Sequence, residues 1–160
     1  MKSKIILLIL TIACFGAIFF FSCQPATASD AVSGGIARKL LEMFTDYSSL
    51  APQEQYTKLM VFDEVLRSLA HFGLALLSGF FLYTALTVFG CRRPAAWTVA
   101  VCFLYSLSDE IHQQLFAAGR AFQLEDIAKD WAGALAGLCL AAAAVRICRK
   151  TKRYRSDAEY

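Results

Sequence analysis

The hydrophobic pattern divides the chain into four apolar runs separated by polar segments. Residues 5–21 carry no charge, and residues 68–89 are interrupted only by His71 near their start. A third run begins at Ala95 and stays apolar to Leu107. A fourth covers 127–147, with Lys129 and Asp130 in its first turn and Arg146 at its end. A hydrocarbon core about 30 Å thick needs roughly 17–25 helical residues. The first, second and fourth runs meet that length. The third does so only if one helix continues through Ser108-Asp109-Glu110-Ile111-His112-Gln113-Gln114-Leu115-Phe116, giving a span over 95–116 with a polar end. Ionisable groups at such depth cost roughly 2.5–3.5 kcal/mol each on insertion scales, and they normally face a bundle interior. The pattern predicts an all-α fold, a polytopic transmembrane bundle of about four helices.

The connecting segments carry their own signals. In 22–67, Ser29, Ser33, Gly34 and Gly35 predict a flexible start. Ile36, Leu40, Met43, Phe44 and Tyr47 then recur at helical spacing. An amphipathic helix on the outer membrane surface fits that stripe, as does a helix packed over the bundle mouth. Pro52 opens a new segment, and 53–67 read as helix leading straight into the second span. Residues 90–94 form a turn. Ala117-Ala118-Gly119 is a helix stop opening a loop over 117–126.

Composition narrows the class. The chain is 58% hydrophobic and 18% charged, whereas soluble domains run about 45–50% apolar and about 25% charged. This excludes an ordinary cytosolic domain, and disorder with it. A net charge of +3 over 160 residues gives no reason to expect a nucleic-acid partner. The distribution of charge says more than its sum. Residues 1–4 (Lys2, Lys4), the 90–94 turn (Arg92, Arg93) and the end of the chain, with Arg146 and the tail at 148–160, hold ten basic residues against two acidic ones. The other segments hold six basic and eleven acidic, so the net charge divides as +8 and −5. The positive-inside rule then places both termini in the cytoplasm and the 22–67 and 117–126 segments outside. The alternative for the N-terminus is a cleaved leader ending at Phe20-Phe21-Ser22, with a lipid on Cys23. The six cysteines show no Cys-x-x-Cys and no Cys/His ligand spacing. Cys102, deep in an apolar run, reads as a packing residue rather than a nucleophile.

The polar chemistry gathers at the predicted external ends of the spans. Arg67 and His71 are four apart. Tyr105, Asp109 and His112 share one helix face, with Gln113 a turn beyond Asp109, and Asp126 and Asp130 open the last span. A shallow external pocket is expected from Arg67, His71, Asp109, Glu110, His112, Gln113, Arg120 and Asp126. Its chemistry admits four readings. Asp109 or Glu110 orients His112 or His71 for acid–base work. The histidines and carboxylates hold a divalent metal, although their spacing matches no known motif. Arg67 and Arg120 clamp a phosphate or carboxylate, with Gln113 and Asp126 as further binding residues. Or the groups satisfy one another and lock the helices together. Gly133 and Gly137 add a Gly-x-x-x-Gly for close helix packing, within the chain or between copies.

Taken together, Ser108-Asp109-Glu110-Ile111-His112-Gln113, Gly119-Arg120, Asp126, Gly133 and Gly137 resemble the signature of the VanZ-like family. Phe21-Ser22-Cys23-Gln24-Pro25 is similar to that family's Phe-Ser-Ser-Gln-Pro. Ser33-Gly34-Gly35-Ile36 and Arg67, Ala70, His71 and Phe72 match further segments, so the resemblance covers 5–145. Departures are Leu74 and Ala75 where Glu and Tyr often stand, Ala118 for Pro, Asp130 for Asn, and Cys23 for Ser. The resemblance implies a small bacterial multi-span protein, located in the cytoplasmic (inner) membrane. The family's namesake is associated with low-level teicoplanin resistance. The expected function is an envelope-associated binding or accessory protein that engages a membrane lipid, a cell-wall precursor or a glycopeptide. The alternative is a membrane enzyme that modifies an envelope lipid or precursor, using the His/Asp/Glu cluster.

Overall fold

The computed structural model describes the backbone of residues 2–158 and the side chains of residues 2–151. Met1 and the side chains of the basic tail from Lys152 onward lie outside the described residues. Five α-helices follow in order: α1 Lys2–Ser22, α2 Ala26–Phe44, α3 Pro52–Val88, α4 Pro94–Phe116 and α5 Leu124–Ala158. A single 3-10 turn, Tyr47–Ser49, joins α2 to α3. There is no strand among the described residues. Large apolar side chains point outward from every long helix, among them Ile9, Phe19, Leu69, Leu104 and Leu140. Such a surface is at home in hydrocarbon, and the fold is a helical membrane bundle.

Among the described residues, three helices are long and apolar enough to cross a membrane: α1, α3, and the Leu124–Thr151 portion of α5. α4 runs unbroken through the polar block to Phe116, as the third span requires, but its polar end leaves it outside that group. α3 begins with Pro52 at its first turn, where a missing N–H costs nothing. Its 37 residues extend about 55 Å, well past a bilayer core. The expected run of helix from 53 into the second span is therefore one continuous element.

α3 packs most extensively on α5, and next on α1. The α3–α5 seam is built from small residues on both sides: Ala75, Ser78 and Gly79 meet Gly133, Ala134 and Gly137, all buried. A Cβ placed on Gly133 would overlap the Phe72 carbonyl, and one on Gly137 the Leu76 carbonyl. The Gly-x-x-x-Gly thus serves packing within the chain. These contacts advance together along both helices, so α3 and α5 run parallel. α1 and α4 run parallel to each other in the opposite sense, joined where the Tyr105 hydroxyl donates to the Phe15 carbonyl at 2.6 Å. The Lys4 ammonium lies 5.3 Å from the centre of the Phe89 ring, beside the Arg92-Arg93 turn. The basic clusters therefore gather at one end of the bundle and the acidic segments at the other.

The segment expected to be flexible from Ser29 to Gly35 is instead the first half of α2. The Ser33 hydroxyl donates to the Ser29 carbonyl at 3.0 Å, Asp30 pairs with Arg67, and the Ala26 N–H donates to the Ala118 carbonyl at 3.1 Å. These ties outweigh the low helix propensity of two glycines. α2 packs on α3 and buries Ala37 and Leu41. Much of the predicted apolar stripe faces away from the bundle, with Ile36, Met43 and Phe44 exposed.

Candidate functional site

The acidic end of the bundle holds two connected hollows. The outer one, about 500 Å³, is lined by polar groups from every helix of the bundle except α1, among them Asp30, Asp63, Arg67, His71, Gln113, Arg120, Asp126 and Lys129. The inner one, about 140 Å³, lies between α1 and α3. Its wall is mostly apolar (Ile18, Phe21, Ala70, Leu74), with Ser22, Ser29 and Asp130 added. Arg67, His71 and Arg120 belong to both walls and mark the boundary between them.

Each boundary group is positioned by a different element. Arg67, on α3, bonds Asp30 of α2 and lies 3.8 Å from Asp63 one turn earlier. His71, one turn deeper, has Nδ1 3.3 Å from Asp130 Oδ1 of α5. The other Asp130 oxygen accepts from the Ser106 hydroxyl of α4 at 3.1 Å. Arg120 stands in the α4–α5 loop just after Gly119. That glycine has a positive φ of 79°, and a Cβ there would lie 3.3 Å from the Ala26 side chain. Both conditions favour glycine, and they aim Arg120 back at the bundle. Its Nη1 donates to Gln113 Oε1 at 2.9 Å and its Nη2 to the Phe21 carbonyl at 3.5 Å. Its Nε is buried without a partner. Burial and then the nearby Arg67 lower the proton affinity of Arg120 below its ordinary value, although a guanidinium remains charged.

Beneath the cations lies a buried polar network. Asp109 Oδ2 accepts from the Ser22 hydroxyl at 2.6 Å and from Gln113 Nε2 at 2.8 Å, and Gln113 Nε2 also reaches Ser22 Oγ at 3.2 Å. Glu110, 1% exposed, turns the other way and accepts from the Gln123 backbone N–H at 3.0 Å, fixing the α4–α5 loop. Asp126 pairs with Lys129 at 2.8 Å.

The structure therefore sorts the eight expected site residues. Arg67, His71, Gln113, Arg120 and Asp126 line the outer hollow together. Asp109 and Glu110 lie behind its wall and line neither hollow. His112 is on another face, its ring 5.1 Å from Phe19 and 5.0 Å from Phe116. The expected Asp109–His112 pairing does not form, because α1 packs against the face that His112 occupies. The carboxylate that holds a histidine is Asp130, which stood at the mouth of the last span in the sequence but outside the expected pocket. Ser22, Ser106 and Asp30 were also missed. An acid one turn inside a predicted span was the available signal for Asp130. Among the described residues, no three His, Cys, Asp or Glu side chains converge as a metal site. The cysteines are free, and Cys102 is buried as expected.

A charged cleft sunk into the end of an apolar helix bundle defines a small helical membrane protein with a polar site at one end. The chain belongs to the VanZ/LLP1 family, whose model matches residues 7–146 and so takes in every residue of the cleft. No curated protein and no solved structure matches it.

Proposed function

We propose that the protein is a multi-pass protein of the bacterial inner membrane with both termini cytoplasmic, and that its external cleft binds a cell-envelope ligand. A surface lipid, a wall precursor or a glycopeptide is the ligand class, and altered glycopeptide susceptibility is the expected phenotype. The gathering of basic clusters at one end supports the orientation. The participation of Phe21 and Ser22 in the cleft supports α1 as a retained span. The observation that carries the binding reading is the shared position of Arg67, His71 and Arg120. Three groups able to donate to an anion stand where a polar vestibule meets an apolar slot. The test is deletion of the gene, complemented by the wild type, by Arg120→Gln or by His71→Ala, with glycopeptide susceptibility and envelope lipid composition as readouts. A deletion strain identical to wild type in both would refute the reading.

A second reading rests on the His71–Asp130 contact. A carboxylate that holds Nδ1 fixes the tautomer of the ring and leaves Nε2 available as a general base. In a membrane enzyme modifying an envelope lipid or precursor, His71 would be that base and Asp130 its orienter, in place of the Asp109 expected from spacing. Asp130→Asn separates the two readings: retained ligand binding with lost turnover favours the enzyme, and unchanged cellular function excludes it.

A further inference from the structure

We infer that the ligand is a single-chain anionic amphiphile that reaches the cleft sideways from the outer leaflet, between α1 and α3. Its chain lies in the slot formed by Ile18, Phe21, Ala70 and Leu74, and its anionic group sits at Arg67 and Arg120. This rests on the cleft being a ligand site and adds what the ligand is and how it arrives.

Three observations converge on it. The first is charge. Arg67 has Asp30 and Asp63 as counter-ions, but Arg120 has no carboxylate within ion-pair distance among the described residues. Its hydrogen bonds go to a side-chain amide and a backbone carbonyl, both neutral. A half-buried guanidinium facing a second one is unfavourable until an anion lies between them, and a phosphate suits the forked geometry of both. The second is access. Phe21 and Ala70, which line the slot, are exposed, and their sequence neighbours Phe20 and Leu69 are each 62% exposed. An opening there gives onto lipid rather than water. The third is size. Pockets for compact ligands run about 300–1,000 Å³. The inner slot of about 140 Å³ lies below that range, so it holds a stretch of one chain whose remainder lies in lipid. The outer hollow of about 500 Å³ has room for a polar head larger than a bare phosphate.

The test uses the full-length protein in phosphatidylcholine nanodiscs, with a hexadecyl phosphate carrying a diazirine near the middle of its chain. Photolysis is expected to label peptides that contain Ile18, Phe21, Ala70 or Leu74. Arg120→Gln should lower labelling about tenfold or more, as befits a lost charge-assisted hydrogen bond. Ala70→Trp, which fills the slot and leaves both arginines in place, should abolish it. Thermal unfolding of each variant confirms folding, and Leu74→Trp is the second slot variant if Ala70→Trp does not fold. Competition by inorganic phosphate and by a zwitterionic probe of equal chain length separates the sources. Equal labelling by the zwitterionic probe would show ordinary boundary lipid and overturn the inference. Phosphate binding lost in Arg120→Gln, without chain labelling at the slot, would also overturn it but leave the cleft an anion site. The absence of both would remove the binding reading as well.

Discussion

Replacing Gly137 by alanine probes the closest helix contact in the bundle. The added Cβ would overlap the Leu76 carbonyl oxygen and sit 2.9 Å from the Phe80 backbone nitrogen. Backbone atoms on a packed helix cannot swing aside as the end of a side chain can. Relief therefore requires α3 and α5 to part, and overpacking of this kind costs about 1–3 kcal/mol. Alanine recovers about 1 kcal/mol of helix propensity relative to glycine, leaving a net loss of about 0–2 kcal/mol, here at the upper end because the overlap is with backbone. Gly133→Ala against Phe72 and Gly79→Ala against Ala134 should behave alike. Gly73 is the internal control. It lies on the same helix as Gly79, yet a Cβ there meets nothing within 4 Å, so Gly73→Ala should be neutral or stabilising by up to about 1 kcal/mol. Reversible unfolding of purified variants in mixed micelles, followed by circular dichroism, reads both signs. The resolution is sufficient, because 1.4 kcal/mol is a factor of about ten in the unfolding equilibrium. Gly137→Ala as stable as wild type, or Gly73→Ala as damaging as Gly137→Ala, would refute the close α3–α5 approach.

The other predictions concern the cleft. His71→Ala and Asp130→Ala, combined in a double-mutant cycle, should show a coupling of about 0.5–1.5 kcal/mol, the range found for polar contacts between membrane helices. A coupling near zero would mean that the 3.3 Å contact is not held in the folded protein. Glu110→Ala leaves the Gln123 N–H without its acceptor, so it should destabilise by about 1–3 kcal/mol and speed hydrogen exchange at that amide. Unchanged exchange there would count against the loop tie. His112→Ala should cost about 1 kcal/mol of stability through lost packing against Phe19 and Phe116, with labelling or binding at the cleft unchanged. A large loss of binding in a folded His112→Ala protein would return His112 to the site.

The helices were legible because lipid imposes a simple demand. A run such as 5–21 has no alternative that satisfies its backbone in hydrocarbon. The helix of the third run was legible for the opposite reason, since its apolar run could form a span only if the polar block was helical, and α4 includes that block. The start of α2 was not legible. What holds it helical is tertiary, namely Asp30 on Arg67 and Ala26 on Ala118. Periodicity also misplaced His112. At about 100° per residue, Gln113 lies about 40° to one side of Asp109 and His112 about 60° to the other. Both count as neighbours of Asp109 along the sequence. Only the position of α1 decides that Ser22 and Gln113 share the Asp109 carboxylate while His112 turns to Phe19. His71 could not be matched to Asp130 from spacing, because 59 residues separate them and only the α3–α5 seam brings them together.

The arrangement also explains why the carboxylates of the densest motif in the sequence do not line the cleft. A polar block inside a membrane helix must find its hydrogen-bond partners within the protein, since unpaired groups there are costly. Asp109 draws on Ser22 and Gln113 through one oxygen, and Glu110 draws on the Gln123 backbone, so both carboxylates help to hold α1, α4 and the α4–α5 loop in register. Gln113 passes that order outward by accepting from Arg120. The motif thus acts as a scaffold that aims a loop cation. At the rim, free capacity is left in the unpaired Nε of Arg120 and the second ring nitrogen of His71, and behind the wall Asp109 Oδ1 and His112 Nδ1 are also buried without a partner. A change in Asp109 should therefore act on binding through the position of Arg120, and a change in Arg120 should act on it directly.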